Sequence, residues 1–243
     1  MKVLVCKQNF VGFLSAVHAF YYAENDARSI VSENYIRNLF DEYVEVDESE
    51  TLAVKVRGGI ISKGGTNCYD DVCDAYRSCN PGKEAVIFEF LKLLFKYGAN
   101  AREMFGEGAV AEFNDIVKKV VNEIHRMHMF VRFNEMSNGA YYGFYTSDND
   151  ILERVMPHFV QTYNTQSFVL HDCARRKMAV YDGKNTVFML APEKLTVELS
   201  ERELFFQELW RLYHRTVAVE GRENLKLQRQ FLPKKYRHFM TEF

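Results

Sequence analysis

Three groups of polar residues interrupt a chain that is otherwise apolar and rich in aromatics, and each suggests a different chemistry. The first joins His125, Arg126 and His128 to Arg132, which stands inside Phe130-Val131-Arg132-Phe133. On a strand, an Arg alternating with Val131 and Phe133 faces away from them. There its guanidinium can grip a phosphate or carboxylate through two parallel bonds, or form a salt bridge on the open face of a sheet. The second group is His171-Asp172, followed by Arg175-Arg176-Lys177. A His beside an Asp invites acid–base catalysis, but neighbours on a strand point to opposite faces, so the pair needs a bulge and a third group such as His158. On that reading His158, His171, Asp172 and Arg132 are the candidate catalytic residues. The alternatives are a basic hairpin tip that touches a backbone phosphate and one that is merely solvated. A metal on His158, His171 and Asp172 has no diagnostic spacing to support it.

The third group is the C-terminal tail. There Arg222, Lys226, Arg229, Lys234, Lys235 and Arg237 interleave with Phe231, Tyr236 and Phe239. Cations neutralise phosphates and aromatic rings stack on exposed bases, so the mixture suits nucleic acid. It equally suits an amphipathic helix docked through its aromatics with a solvated basic face. No phosphate-cradling glycine loop, nucleophile elbow or paired-His zinc helix is present.

Charge is distributed unevenly behind a formal net of −2. Nine acidic residues lie between Glu24 and Glu50 against Arg28 and Arg37, whereas eight Lys or Arg lie between Arg211 and His238 against Glu220 and Glu223. An acidic head and a basic tail can attract each other, or the tail can serve a polyanion. The five cysteines (Cys6, Cys68, Cys73, Cys79 and Cys173) form no Cys-x-x-Cys pair, and their spacing matches no zinc or radical-SAM cluster. Reduced thiols, no metal and no cofactor are therefore expected. The first residues break after Cys6 with Lys7-Gln8-Asn9, which is no signal peptide, and no stretch reaches the ~18 apolar residues of a membrane span. The expectation is a cytoplasmic protein with no membrane contact.

The elements that must position these groups follow from periodicity. Val3–Cys6 reads as a strand and 10–22 as a helix, followed by an acidic loop with a helical turn. Helices are predicted over 48–61, 67–78 and 84–97, with Gly64-Gly65 and Asn80-Pro81-Gly82 as stops. The clearest helix is 109–129, where Val110, Phe113, Val117, Val120, Ile124 and Met127 form one stripe. Period two then takes over. Strands are predicted at 130–135 and 140–146 around the turn Met136-Ser137-Asn138-Gly139, and at 168–172, 178–181 and 186–190. A helix at 150–163 carries Pro157, which should kink or interrupt it. Helices at 200–219, with Ser200 and Glu203 as a capping box, and at 224–231 complete the chain. The fold class is α+β: a helical N-terminal half packed with a central antiparallel ββαβββ sheet and a helical basic tail. Short connections suggest one compact domain over 1–243, with subregions at 1–129, 130–192 and 200–243.

Read together, five strings resemble a bacterial family of DNA-metabolism or DNA-repair proteins built around the domain DUF4130. They are Phe10-x-Gly12-Phe13-Leu14-x-Ala16-Val17; His125-Arg126-Met127 with Phe130-Val131-Arg132-Phe133; Pro157-His158-Phe159; His171-Asp172-x-x-Arg175; and Arg222-x-Asn224-x-x-Leu227-Gln228-Arg229-Gln230-Phe231-x-Pro233-x-x-Tyr236. The resemblance implies a partnership with a radical-SAM protein encoded nearby, and a uracil-DNA-glycosylase-like domain as a further partner. This chain, lacking both, would be the accessory or substrate-handling component. Across these groups the candidate nucleic-acid-binding residues are Arg126, Arg132, Arg175, Arg222, Gln228, Arg229, Lys234, Lys235 and Tyr236. The chain departs from the family where Cys6-Lys7-Gln8 replaces the usual Tyr-Asp-Gly. Two other functions stay open: an enzyme acting on nucleic acid or nucleotides through the His/Asp/Arg set, and a protein-interaction module.

Overall fold

Apolar strands and helices of both periods condense into an α+β fold, as the patterns predict. The computed structural model describes residues 1–217 and 224–241. Contacts divide the chain into two compact units, Met1–Val121 and Asn122–Phe243. The division falls inside one long helix.

In the first unit, β1 (Lys2–Cys6) leads through α1 (Phe10–Tyr22) to β2 (Ser29–Ser32) and β3 (Glu42–Glu45). The strand order is β2-β1-β3, and both pairs are parallel. This corrects the expected loop and helical turn after α1. Each of the two added strands is four residues long, too short for alternation to show, and each is fixed by pairing with β1 rather than by its own pattern. Asn9 caps α1 by accepting the Gly12 backbone N–H at 2.7 Å. Helices α2 (Glu50–Gly64), α3 (Thr66–Tyr76) and α4 (Lys83–Tyr97) follow. Gly65 ends α2 at φ +82°, a conformation that favours glycine. The core gathers Leu4, Phe13, Ile30, Phe88, Phe90 and Leu94, and Phe90 stacks on Phe113 with ring centres 3.8 Å apart. Cys6 and Cys68 belong to this core as small apolar side chains.

Helix α5 (Gly108–Phe130) buries the predicted stripe, with Val110, Phe113, Val120 and Met127 fully enclosed. After it come β4 (Phe133–Glu135), β5 (Tyr141–Tyr145), α6 (Leu152–Thr162), β6 (Phe168–Asp172), β7 (Lys177–Tyr181) and β8 (Thr186–Leu190). The five strands lie in the order β4-β5-β6-β7-β8. The sheet is mixed rather than antiparallel, because β5 and β6 run parallel. Antiparallel neighbours can be joined by a tight turn, whereas a parallel pair needs a long crossover. Helix α6 is that crossover. It runs on through Pro157, which lies on its exposed face. On the sheet, Phe133 lies over Gly143, where any Cβ would stand 2.8 Å from its ring.

Residues 198–200 close the β4 edge, with Ser137 N–H donating to the Glu198 carbonyl at 2.9 Å and Ser200 N–H to the Glu135 carbonyl at 3.0 Å. Ser200 then caps α7 (Glu201–Val217) by accepting the Glu203 N–H at 3.0 Å. Glu203 does not complete a capping box. Its carboxylate accepts the Glu135 N–H and the Gln207 amide, tying α7 to β4. No residue of α7 is buried. The predicted residues 218–219 of that helix lie outside the described residues. Helix α8 (Leu225–Phe231), capped by Asn224, and a 3-10 turn over Lys234–Phe239 form the tail.

Candidate functional site

Strand alternation separates His171 from Asp172. Phe168, Leu170 and Asp172 point to the buried face of β6, and Val169 and His171 to the other. Asp172 is wholly enclosed. It accepts the backbone N–H groups of Ala174 (3.0 Å) and Arg175 (3.4 Å) and pairs with the Arg175 guanidinium at 3.2 Å. Burial raises its pKa, against the pull of Arg175. Arg175 also donates to the Ser147 carbonyl and hydroxyl and to the Asp148 carbonyl. The pair therefore clamps the β6–β7 turn to the 147–148 loop. Arg176 takes the left-handed position of that turn at φ +54°. A guanidinium so engaged fixes structure first, whatever it offers a phosphate.

His171 enters a different network. Its Nδ1 lies 2.7 Å from the Tyr142 hydroxyl and 3.7 Å from the Cys173 thiol, while its Nε2 is buried without a hydrogen-bond partner. Burial lowers the His171 pKa and raises those of Tyr142, to about 12, and Cys173. At neutral pH all three are uncharged. With a protonated phenol and thiol beside it and Asp172 on the opposite face, His171 has no carboxylate to orient it, so the sequential His–Asp pair is no catalytic dyad.

His158 belongs to a third place. It stacks on His128 with ring centres 4.1 Å apart, and His125 approaches His128 edge-on at 6.2 Å. Burial, followed by the charges of His158 and His125, lowers the His128 pKa to about 4. Between pH 6.5 and about 4 the unfolded ring takes a proton that the folded ring refuses, so stability falls as pH drops through that window. The expected loss is about 1–2 kcal/mol after allowance for partial solvent access. Urea unfolding at pH 7 and pH 4.5 measures it. The difference between the native chain and His128→Phe should shrink at the lower pH; a difference equal at both would sink the assignment.

The tail converges on Glu123, an acid on the inner stripe of α5. Glu123 is buried, and its two oxygens accept the N–H groups of Asp148 (3.0 Å) and Asn149 (2.9 Å) and the Asn149 side-chain amide (2.7 Å). Tyr236, itself fully buried, reaches the same carboxylate at 3.4 Å and packs on Phe130. Lys235 bridges Glu123 at 3.6 Å and Asp148 at 2.5 Å. Partial burial disfavours its charge, but the Asp148 and Tyr236 bonds prevail and hold its pKa above the ordinary range. The Tyr236 ring fills the interior, and Lys235 is engaged with two carboxylates. Arg175 and Lys235 do come together, both on Asp148.

The remaining cations divide in the same way. Arg132 turns its guanidinium to the carbonyls of Met129 and Val131, in the short link between α5 and β4 rather than on a strand. Gln228 accepts from Arg237 at 3.1 Å. Arg126 is half-buried on α5, whereas Lys226, Arg229 and Lys234 are exposed on the tail. Arg222 lies outside the described residues.

Four of the five sequence strings lie within the segment that a family profile matches. That profile, a domain of unknown function termed DUF4130, covers residues 81–242. The chain belongs to the DUF4130 family. The string Phe10–Val17 lies ahead of the matched residues. Among curated proteins, none matches the chain. The DUF4130 segment thus contains the His171–Tyr142–Cys173 group, the His128–His158 stack and the Glu123 socket. Sequence reasoning missed Tyr142 and Glu123. The signal for Glu123 was available, since Ile116, Val120, Glu123 and Met127 recur at four, three and four residues along α5. Among the described residues no group of three His, Cys, Asp or Glu side chains is arranged to hold a metal. No helix among them is long and apolar enough to cross a membrane.

Proposed function

We propose that this protein is a nucleic-acid-associated accessory component of DNA repair or DNA metabolism, acting in the cytoplasm beside a radical-SAM partner. The observation that carries the reading is the division of labour in the tail. Tyr236, Phe239 and Met240 are buried and Lys235 is paired, so the segment is held to the unit. Lys226, Arg229 and Lys234 then stand exposed along it, as a phosphate-tracking surface requires. Separation of His158, His171 and Asp172 into different networks weakens the competing enzymatic reading, which needs them in one place. Helix α7 supports the partnership: Phe205, Phe206, Trp210 and Tyr213 are each 44–62% exposed, an apolar surface of the kind that partners cover.

The test is copurification of the full chain with the neighbouring radical-SAM protein, with and without DNA, alongside fluorescence anisotropy of labelled oligonucleotides. Retention of the partner and salt-sensitive DNA binding are expected. A chain that binds no oligonucleotide at low salt sinks the nucleic-acid reading. Failure to retain the partner in either condition removes the accessory role.

A further inference from the structure

Among the described residues strand β8 is the open edge of the five-stranded sheet, and its residues Val187, Phe188, Met189 and Leu190 are 49–73% exposed. Edge strands are ordinarily protected by lysines, proline, a bulge or a covering segment. The β4 edge has such a cover in residues 198–200, but β8 reads Thr-Val-Phe-Met-Leu, with neither charge nor proline.

The pairing of β8 with β7 fixes which of its backbone groups face outward. The register sets Lys177 against Leu190 and Tyr181 against Thr186, and Ala191 N–H donates to the Arg176 carbonyl at 2.7 Å. Antiparallel ladders alternate bonded and non-bonded pairs. Residues 187, 189 and 191 therefore bond to β7, and the N–H and C=O groups of Thr186, Phe188 and Leu190 point away from the sheet. We infer that this edge pairs with β8 of a second copy, antiparallel about a two-fold axis through Phe188.

That register satisfies every outward group. Phe188 faces Phe188 of the partner subunit, and Thr186 faces the partner subunit's Leu190, so the three outward residues on each chain all become bonded pairs. Side chains of Val187 and Met189 meet on one face of the joined sheet, and those of Phe188 and Leu190 on the other. The flanks raise no electrostatic obstacle. Asp182 and Lys184 lie at one end of the strand, and Glu193 and Lys194 at the other, so each end that meets its opposite is balanced in charge. The arrangement also closes on itself. It consumes the open edge of both copies while the other edge is already covered, so association stops at two instead of running into a fibre.

Sedimentation of the full chain over a wide concentration range tests the pairing, with a dimer of twice 28.5 kDa expected at the upper end. Phe188→Lys places two like charges opposite each other on the axis and should weaken dimerisation at least tenfold. Circular dichroism checks that the variant folds. A second reading does not depend on that variant. In a Cys79→Ser background, Phe188→Cys should oxidise to a covalent dimer, because bonded antiparallel pairs hold Cα atoms about 5.5 Å apart, within disulfide reach. Val187→Cys, about 8 Å from its own copy in this register, should cross-link far more slowly. Three results would each overturn the pairing: a chain monomeric at its highest soluble concentration, a dimer unaffected by Phe188→Lys, or equal cross-linking at both positions. So would an edge that becomes covered only when a different protein is added.

Discussion

Glu123→Ala is expected to destabilise the second unit by about 3 kcal/mol and to loosen the tail from it. The carboxylate is enclosed and takes backbone and side-chain donors from Asp148 and Asn149 as well as the Tyr236 hydroxyl and the Lys235 ammonium. Its removal leaves buried N–H groups without acceptors, each costing on the order of 1–3 kcal/mol, and takes from Lys235 one of its two carboxylates. Glu123→Gln should cost less, about 1–2 kcal/mol, since one oxygen still accepts while the new amide faces donors. Hydrogen exchange provides the local readout. Amides of residues 148–149 and 234–240 should lose protection together in Glu123→Ala, and trypsin should cut sooner at Lys234 and Lys235. Undiminished protection with a loss below about 1 kcal/mol would show that the socket does not hold the tail.

Why this socket escaped the sequence pattern, while the helix carrying it did not, is a matter of range. Periodicity is local, so the stripe of α5 and the strands β6 and β8 were legible to the residue, and Asn224 and Gly65 marked their helix ends. Pairing is not local. The four-residue strands β2 and β3 are set by register with β1, and β5 finds β6 in parallel across the α6 crossover. Contacts within the site are equally distant in sequence. Tyr236, whose ring suited either stacking on a base or docking, meets Glu123 113 residues away, and His171 meets Tyr142 29 residues away. Alternation alone had already warned that His171 and Asp172 diverge. Arg132 was placed on a strand by the apolar residues around it, yet α5 extends to Phe130 and leaves only a two-residue link before β4. There the guanidinium finds two carbonyls instead of an open sheet face.

That division between buried and exposed tail residues determines which substitutions report on nucleic acid. Lys235→Ala would disturb the Glu123 and Asp148 contacts, so weaker binding in it would confound folding with recognition. Replacing Lys226, Arg229 and Lys234 together by Ala touches exposed groups instead. Removing one phosphate-neutralising cation should lower the salt slope by about 0.9 in duplex DNA, or roughly 2.7 for the three. Between 50 and 200 mM salt, the fall in affinity should then be about 40-fold shallower than for the native chain. Two unrelated oligonucleotides should be affected alike, because phosphates position a protein on the duplex without reporting its sequence. His171→Ala should leave this binding intact, since its ring is engaged with Tyr142 on the sheet. Anisotropy titrations at several salt concentrations, on variants shown to fold, supply the slopes. An unchanged slope in the triple variant would remove the tail as the DNA-binding surface and leave its exposed cations to an acidic protein partner.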